Sequence, residues 1–222
     1  MSRSILFVPG DSPKKFERAM AGDADGLILD LEDSVAAERK VESRALVRDM
    51  LAAGRDRKQL WVRMNALDTP YALGDLAAVV GARPFGIVVP KTRGGDDLRT
   101  VGNYLDAYET AAGVPAGSTR MLAIVTELGA AMFGLGTYAG ASPRLWGLSW
   151  GAEDLAADLG AAANRVDGAL TEPYRVARTM CLYAAAAASV RALDTVCVDL
   201  DDLAVVARES AEARRDGFSG KI

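Results

Sequence analysis

Short, continuous apolar runs alternate along the chain with longer stretches whose apolar positions follow a helical period. The apolar runs lie at residues 4–8, 26–31, 60–64, 85–90, 121–126, 144–148 and 195–198. They are rich in Val, Ile and Leu, which is typical of strands in a parallel sheet that is covered on both faces. The amphipathic stretches predict helices at residues 13–20, 36–53, 72–80, 96–112, 127–135, 172–191 and 202–215.

This alternation leaves two common architectures, an open doubly wound sheet and a closed barrel. Residues 220–222 supply the start of an eighth strand. No Gly-x-Gly-x-x-Gly turn follows the first strand, which argues against a dinucleotide-binding domain. We therefore predict an α/β fold with a single TIM-type (β/α)8 barrel domain over residues 1–222, although such barrels typically have ~250 residues.

Composition and charge argue against several classes of protein. The formal net charge is −4 and the basic residues form no stripe, so we expect no nucleic-acid partner. The first apolar run stops at Pro9, and no run reaches the ~20 residues of a membrane span. We therefore expect a cytoplasmic protein without a signal peptide or a membrane partner. Cys181 and Cys197 lie in apolar surroundings, which predicts two buried thiols rather than a disulfide.

Histidine is absent from the sequence. Its absence excludes a histidine-based nucleophile triad and a zinc site with histidine ligands. Proton transfer and metal binding must then use carboxylates, Lys, Arg, Tyr, Cys or water. Oxygen ligands select hard cations, so any metal is expected to be Mg²⁺, with Mn²⁺ as the alternative.

Charged residues follow five consecutive predicted strands, at the end of a parallel barrel where active sites lie. They are Asp30, Glu32 and Asp33, then Arg63, Lys91 and Glu127, and finally Glu153 and Asp154. Any one of them has an ordinary explanation as a loop residue, a helix cap or an ion-pair partner. Their convergence favours a site for a metal and an anionic substrate, because buried charge is costly unless it is paired or liganded.

Such a set of residues predicts aldol or Claisen chemistry. Two carboxylates from neighbouring strands can hold Mg²⁺ and leave positions open for water and substrate. The ion would act as a Lewis acid on a keto or hydroxy acid. Arg63 would bind a substrate carboxylate or neutralise an enolate through its fork of donors.

Seven short segments of the chain carry a family resemblance: RSILFVPG at 3–10, LDLEDSV at 29–35, VRMN at 62–65, VPK at 89–91, VTE at 125–127, WGAEDLAADLG at 150–160 and GFSGK at 217–221. In series, they resemble the citrate lyase beta-subunit branch of the HpcH/HpaI aldolase superfamily, which includes citryl-CoA, malyl-CoA and citramalyl-CoA lyases. Each motif is short, but their order and spacing agree from end to end.

The resemblance implies a TIM-type barrel, a Mg²⁺ cofactor and specific roles for residues of the site. Glu127 and Asp154 are implied to ligate the metal. Arg63, with Glu127, is implied to bind the substrate. Glu32 and Asp33 belong to an acidic segment that lines the same site and orients metal-bound water, and with Arg63 they are the expected catalytic residues.

Further implications concern the thioester and the partners. Arg3 and Lys15, in and after the first strand, are expected to receive the CoA phosphates. The substrate is expected to be an acyl-CoA or acyl-carrier thioester, and the protein a homo-oligomer, either a trimer or a hexamer. The chain ends at Ile222, in strand eight, without the family's C-terminal extension, which in several relatives covers a neighbouring subunit's site and supplies an acidic catalytic residue.

We therefore predict a carbon–carbon lyase that cleaves a 3-hydroxyacyl-CoA thioester of the citryl, malyl or citramalyl type. One alternative is a malyl-CoA-type thioesterase, and another is an aldolase for free keto acids. A third is a non-catalytic subunit that binds an acyl-thioester within a larger lyase complex. One departure from the family is local: Glu127 lies in Val-Thr-Glu-Leu-Gly, where relatives have Ile-Glu-Thr-Ala.

Overall fold

In the computed structural model, which describes residues 3–199 and 202–222, eight parallel strands form one sheet. They are β1 (Ile5–Pro9), β2 (Gly26–Asp30), β3 (Gln59–Arg63), β4 (Gly86–Val89), β5 (Arg120–Ile124), β6 (Leu145–Ser149), β9 (Arg191–Asp194) and β10 (Gly220–Lys221). Within the same residues, β7 (Arg165–Val166) and β8 (Ala169–Leu170) form a separate antiparallel hairpin. Each strand of the sheet pairs with the next one along the chain, apart from this hairpin.

The two edges of the sheet are joined. Ser4, just before β1, pairs in parallel with Lys221 of β10. The Lys221 N–H donates to the Arg3 carbonyl at 2.8 Å. The sheet therefore closes on itself, and the predicted TIM-type α/β barrel is confirmed.

Helices cover the outer face of the barrel. They are α1 (Pro13–Ala21), α2 (Lys40–Gly54), α3 (Ala72–Val79), α4 (Gly95–Ala112), α5 (Glu153–Leu159), α6 (Glu172–Ala187) and α7 (Leu203–Asp216). Ile28 and Trp61 point into the barrel, whereas Leu27 and Leu29 pack outward among the helices. Because every residue of β2 is buried, this strand appears in the sequence as an unbroken apolar run.

The predicted seventh strand at residues 195–198 is wrong, because the strand β9 lies four residues earlier. Helix α6 ends at Ala187 instead of continuing to residue 191. Ser189 has a φ of 55°, a left-handed conformation that stops the helix. Strand β9 then begins at Arg191, so the apolar run at residues 195–198 lies in the loop after the strand.

The predicted helix at residues 127–135 is also wrong. Glu127 precedes two 3₁₀ turns, Gly129–Phe133 and Leu135–Tyr138. Gly134 packs so closely that a Cβ there would lie 2.0 Å from the Arg93 carbonyl oxygen. Glycines at such positions favour tight turns over an α-helix. Helix α5, which begins directly after the β6 segment, was not predicted.

Two smaller expectations concern membranes and cysteines. Among residues 3–199 and 202–222, no helix is long and apolar enough to cross a membrane. Cys181 and Cys197 are both free thiols, and Cys181 is buried as predicted. The prediction that Cys197 is buried is wrong: it is half-buried, because it lies in the loop after β9 instead of in a strand.

Candidate active site

The carboxyl ends of five neighbouring strands meet at one mouth of the barrel. Within the described residues, five carboxylates and two cations come together there. We call this set the mouth cluster; it consists of Asp30, Glu32, Asp33, Arg63, Lys91, Glu127 and Asp154. The structure thus brings together the predicted catalytic, substrate-binding and metal-ligating residues.

The deepest pair in the mouth cluster is Arg63 and Asp30. Arg63 Nε and Nη2 donate to the two carboxylate oxygens of Asp30, each at 2.7 Å. The same carboxylate accepts the backbone N–H groups of Glu32 at 2.9 Å and Ser34 at 3.0 Å. Burial alone would raise the pKa of Asp30, but the hydrogen bonds and charge of Arg63 outweigh it and leave that pKa lowered. Asp30 therefore fixes the guanidinium of Arg63 in one orientation.

The remaining contacts of Arg63 face the opening. Its Nη1 lies 3.0 Å from Glu32 Oε2 and 3.4 Å from Asp33 Oδ2. The guanidinium also lies over the Phe7 ring, 4.6 Å from the centroid. The Asp33 side chain is 54% exposed, whereas that of Glu32 is 7% exposed. Asp33 is therefore the carboxylate that a substrate anion can replace at Arg63 with the least disturbance.

Lys91 connects the acidic segments to one another. Its backbone has a φ of 52°, which is uncommon for a residue with a side chain. Its backbone N–H donates to Glu127 Oε2 at 2.5 Å. Its ammonium lies 2.5 Å from Glu32, 3.2 Å from Asp154 and 3.4 Å from Asp33. The sequence marked Lys91 as a cation near the site but gave it no role.

Glu127 is the most unfavourably placed carboxylate of the mouth cluster. Only 2% of the residue is exposed. Burial, together with the nearby charges of Asp154 and Glu32, raises the pKa of Glu127 to about 8, against the opposing hydrogen bond from the Lys91 N–H. Gly151 makes room for this side chain, since a Cβ there would lie 2.8 Å from the Glu127 Cγ.

The site fits a hard divalent cation that keeps water ligands better than it fits a metal whose ligands all come from the protein. Within the described residues, no three acidic or thiol side chains lie close enough together to hold a metal by themselves. Glu127 and Asp154 instead line one small cavity of about 80 Å³, together with Arg63 and Trp150. Mg²⁺ is commonly held by one or two carboxylates and keeps several water ligands, and it would compensate the excess negative charge.

A second carboxylate of the mouth cluster has a pKa near neutrality. Burial raises the pKa of Glu32 to about 7, and Asp33 adds to the shift, while Arg63 and Lys91 oppose it. A carboxyl with such a pKa can exchange a proton near pH 7. In a chain without histidine, this is the chemical property that general acid–base catalysis requires.

The two residues predicted to bind CoA phosphates lie apart from the mouth cluster. Arg3 precedes β1 at the opposite end of the barrel, where its side chain is 81% exposed and lies 3.9 Å from Asp25. The structure therefore does not bring Arg3 to the site. Lys15 is exposed on α1 and lines, with Arg18, a cavity of about 300 Å³ beside β1.

A larger cavity, of about 540 Å³, lies among the β7–β8 hairpin, α6 and α7. Several of its charged groups pair with each other: Arg178 lies 2.6 Å from Asp216, and Lys221 lies 3.1 Å from Glu209. No residue of the mouth cluster lines it. We therefore assign the candidate active site to the smaller cavity, where the carboxylates are in excess.

Comparison with known proteins supports the resemblance read from the sequence. Residues 3–222 match the family model of HpcH/HpaI aldolase/citrate lyase. The chain is 32% identical to the citrate lyase subunit beta of Leuconostoc mesenteroides subsp. cremoris, over 100% of this chain and 72% of that protein. It is 37% identical to the L-malyl-CoA/beta-methylmalyl-CoA lyase of Cereibacter sphaeroides, over 78% of this chain and 55% of that protein.

Solved structures of similar sequence have the same fold. The CitE protein of Mycobacterium tuberculosis, in complex with magnesium, acetoacetate and coenzyme A, matches with a TM-score of 0.84 and 32% identity. The match covers 99% of this chain and 75% of that one. The predicted family is thereby confirmed, and the named relatives are lyases, as the resemblance implied.

Proposed function

This chain belongs to the HpcH/HpaI aldolase/citrate lyase family, and we propose that it is a magnesium-dependent lyase for a 3-hydroxyacyl-CoA thioester. The observation that carries the proposal is the excess of buried carboxylate at the mouth cluster, with Glu127 at its centre. Candidate substrates are citryl-CoA, malyl-CoA and citramalyl-CoA. The magnesium, the acetoacetate and the coenzyme A in the related CitE structure support a metal-dependent reaction of a thioester.

Glu127 and Asp154 are the residues that would hold the ion. When bound there, Mg²⁺ supplies Lewis-acid polarisation of the substrate oxygens. Arg63, held rigid by Asp30, binds the substrate carboxylate in place of Asp33 through the outer edge of its guanidinium. Rigid donors of this kind lower the entropic cost of orienting the scissile bond.

Proton transfer falls to the carboxylates of the mouth cluster. Glu32, whose pKa is about 7, and Asp33 are the groups that accept the proton of the substrate hydroxyl. As the carbon–carbon bond breaks, its electron pair moves to the carbon next to the thioester. A proton is then returned to that carbon, which yields an acyl-CoA and a keto acid.

The thioester end of the substrate is assigned to the cavity beside β1. Lys15, with Arg18 next to it, supplies positive charge at the rim of this cavity for the CoA phosphates. We expect Lys15→Ala to raise KM for the thioester with little change in kcat, because the phosphates are remote from the reacting bond. The same variant should behave normally with a short acyl-thioester that lacks the nucleotide.

The decisive experiment measures cleavage of the three thioesters with and without Mg²⁺. Wild type would be compared with Glu127→Ala and Asp154→Ala, and with Asp49→Ala, which changes an exposed carboxylate on α2 outside the site. The proposal requires acetyl-CoA release that depends on Mg²⁺ and is lost in the first two variants only. Release of free CoA instead would indicate a thioesterase.

Two further outcomes separate the remaining alternatives. Binding of Mg²⁺ and thioester without turnover would indicate a non-catalytic subunit that works within a larger complex. Binding of neither would overturn the proposal. We also propose a trimeric or hexameric, cytoplasmic protein that acts on CoA or acyl-carrier thioesters; light scattering of the purified protein tests the subunit number.

A further inference from the structure

We propose that the Lys91 ammonium is a built-in counter-ion of the metal centre: it holds the carboxylates together while the metal is absent and opposes the divalent cation that binds there. The inference rests on the proposed magnesium-dependent function. It assigns to Lys91 two roles that none of the predicted site residues has: Lys91 positions the carboxylates, and it sets the affinity of the site for the metal.

The contacts of Lys91 make it the connection among three acidic segments. Its ammonium contacts Glu32 after β2 at 2.5 Å and Asp154 at the start of α5 at 3.2 Å. It reaches Asp33 at 3.4 Å. Through its backbone N–H it also holds Glu127 after β5. One residue therefore contacts both proposed metal ligands and both carboxylates proposed for proton transfer.

The backbone of Lys91 indicates that this arrangement is maintained against a conformational cost. A φ of 52° is unfavourable for a residue with a Cβ and persists when surrounding contacts enforce it. In this conformation the N–H faces Glu127 while the side chain turns back over the strand ends. The side chain is 25% exposed, so the ammonium has a path to solvent when a metal ion takes over its contacts.

Electrostatics predicts the sign of the effect of Lys91 on metal binding. A positive charge next to two proposed metal ligands repels a divalent cation, and at short range this repulsion outweighs screening. Without the ammonium, however, the clustered carboxylates repel one another and burial of Glu32 becomes costlier. Lys91 should therefore stabilise the metal-free protein and weaken Mg²⁺ binding. A residue that merely oriented the ligands would have the opposite effect on affinity.

The test compares wild type with Lys91→Met, which keeps the length of the side chain but not its charge, and with Lys91→Arg, which keeps the charge. Calorimetry measures the Kd for Mg²⁺, and thermal unfolding is followed in EDTA and in Mg²⁺. Lys58→Met is the matched control: Lys58 is also held by short contacts, to the carbonyl oxygens of Gly22 and Ala24, at the other end of the barrel.

We expect Lys91→Met to bind Mg²⁺ more tightly than wild type, by at least about tenfold in Kd. Its Tm in EDTA should fall by about 3–8 °C, and Mg²⁺ should remove most of that difference. Lys91→Arg should stay close to wild type in both measurements. Lys58→Met should lower Tm equally in EDTA and in Mg²⁺ and leave the Kd unchanged.

Several results would overturn the proposal. Unchanged or weaker Mg²⁺ binding by Lys91→Met would do so, as would an unchanged Tm in EDTA. A Lys91→Met protein that stays unfolded even with Mg²⁺ would also contradict it, because the metal should replace the missing charge. If wild type binds no Mg²⁺, the metal centre itself fails; if wild type binds and Lys91→Met does not differ, only the role of Lys91 fails.

Discussion

Arg63 and Arg144 are both buried arginines that pair with carboxylates, but they lie at opposite ends of the barrel. Arg144, just before β6, donates to Glu109 on α4 from Nη1 at 3.0 Å and from Nη2 at 2.6 Å. Glu109 also accepts the backbone N–H groups of Gly117 and Thr119, each at 2.8 Å. Its carboxylate oxygens are thus fully engaged.

The pKa of the buried glutamate is shifted in opposite directions at the two ends of the barrel. Burial alone would raise the pKa of Glu109, but the bonds from Arg144 and Thr119 outweigh it and lower that pKa to about 2. At the mouth cluster, burial and neighbouring acids raise the pKa of Glu127 to about 8. The Arg144 cluster, which consists of Arg144, Glu109, Gly117 and Thr119, therefore contributes stability, whereas the mouth cluster retains an electrostatic cost that a bound divalent cation would offset.

The largest expected effect is on catalysis. Glu127→Gln should lower Mg²⁺-dependent cleavage by about 10³-fold or more, because it removes a proposed metal ligand and with it Lewis-acid stabilisation worth several kcal/mol. The metal-free protein should keep or gain stability near pH 7, because the raised pKa of Glu127 means that folding must either bury its charge or protonate it, and Gln removes that cost. Turnover at saturating Mg²⁺ and unfolding in EDTA check the two parts. A large loss of metal-free stability would mean that Glu127 is structural, like Glu109.

The second effect is on stability alone. Arg144→Met should destabilise the protein by about 3–5 kcal/mol, because it leaves Glu109 buried and unpaired. Urea unfolding measures this loss, and the Kd for Mg²⁺ should not change. Arg99→Met is the control: Arg99 pairs with Asp96 on the surface of α4 and is 53% exposed, so it should cost less than about 1 kcal/mol. Equal losses in the two variants would contradict the comparison.

Acid should weaken the Arg144 cluster in a defined pH window. A depressed pKa in the folded protein contributes stability that is present above the unfolded value of 4.5 and is lost as pH falls toward about 2. The difference in unfolding free energy between wild type and Glu109→Gln should therefore shrink by roughly 2 kcal/mol between pH 7 and pH 3. A difference that does not depend on pH would show that the pKa of Glu109 is not lowered.

The smallest expected effect tests whether Mg²⁺ binding depends on the position of Glu127 in the mouth cluster. Gly151→Ala would place a Cβ 2.8 Å from the Glu127 Cγ, so the side chain must shift. We expect Mg²⁺ binding to weaken by about tenfold, or about 1.4 kcal/mol. Gly136→Ala is the control, since a Cβ there meets nothing within 4 Å. Unchanged Mg²⁺ binding by Gly151→Ala would indicate that Glu127 does not hold the ion in this position.

Much of the barrel could be predicted from the sequence because burial on both faces leaves a local signature. The apolar run at residues 26–31 became β2 (Gly26–Asp30) with almost the predicted bounds. The same strand pattern predicts that the charged residues converge at the barrel mouth, because the carboxyl ends of parallel strands face one way. The absence of histidine by itself points to carboxylates and a hard cation.

Local patterns failed where packing overrode them. Residues 127–135 have apolar spacing suited to a helix, but close contact at Gly134 imposes 3₁₀ turns. Three of the four residues 195–198 are β-branched, yet the early end of α6 places β9 before them. In the first case the deciding contact, between Gly134 and Arg93, lies far away in sequence, where a window of neighbouring residues carries no information about it. In the second, the left-handed backbone at Ser189 ends the helix, and the period of the apolar residues does not record that conformation.

The sequence by itself determined which charged residues reach the mouth of the barrel. Only the tertiary structure decided how they are paired. Asp30 binds Arg63 across 33 residues, and Lys91 binds Glu32 across 59. Those pairings fix two sides of the Arg63 guanidinium on Asp30, leave Glu127 without a cationic hydrogen-bond partner among the described residues and place Lys91 among the carboxylates. The reason is that burial and hydrogen bonding set the energy of a charge in three dimensions, whereas the sequence records only its identity and order.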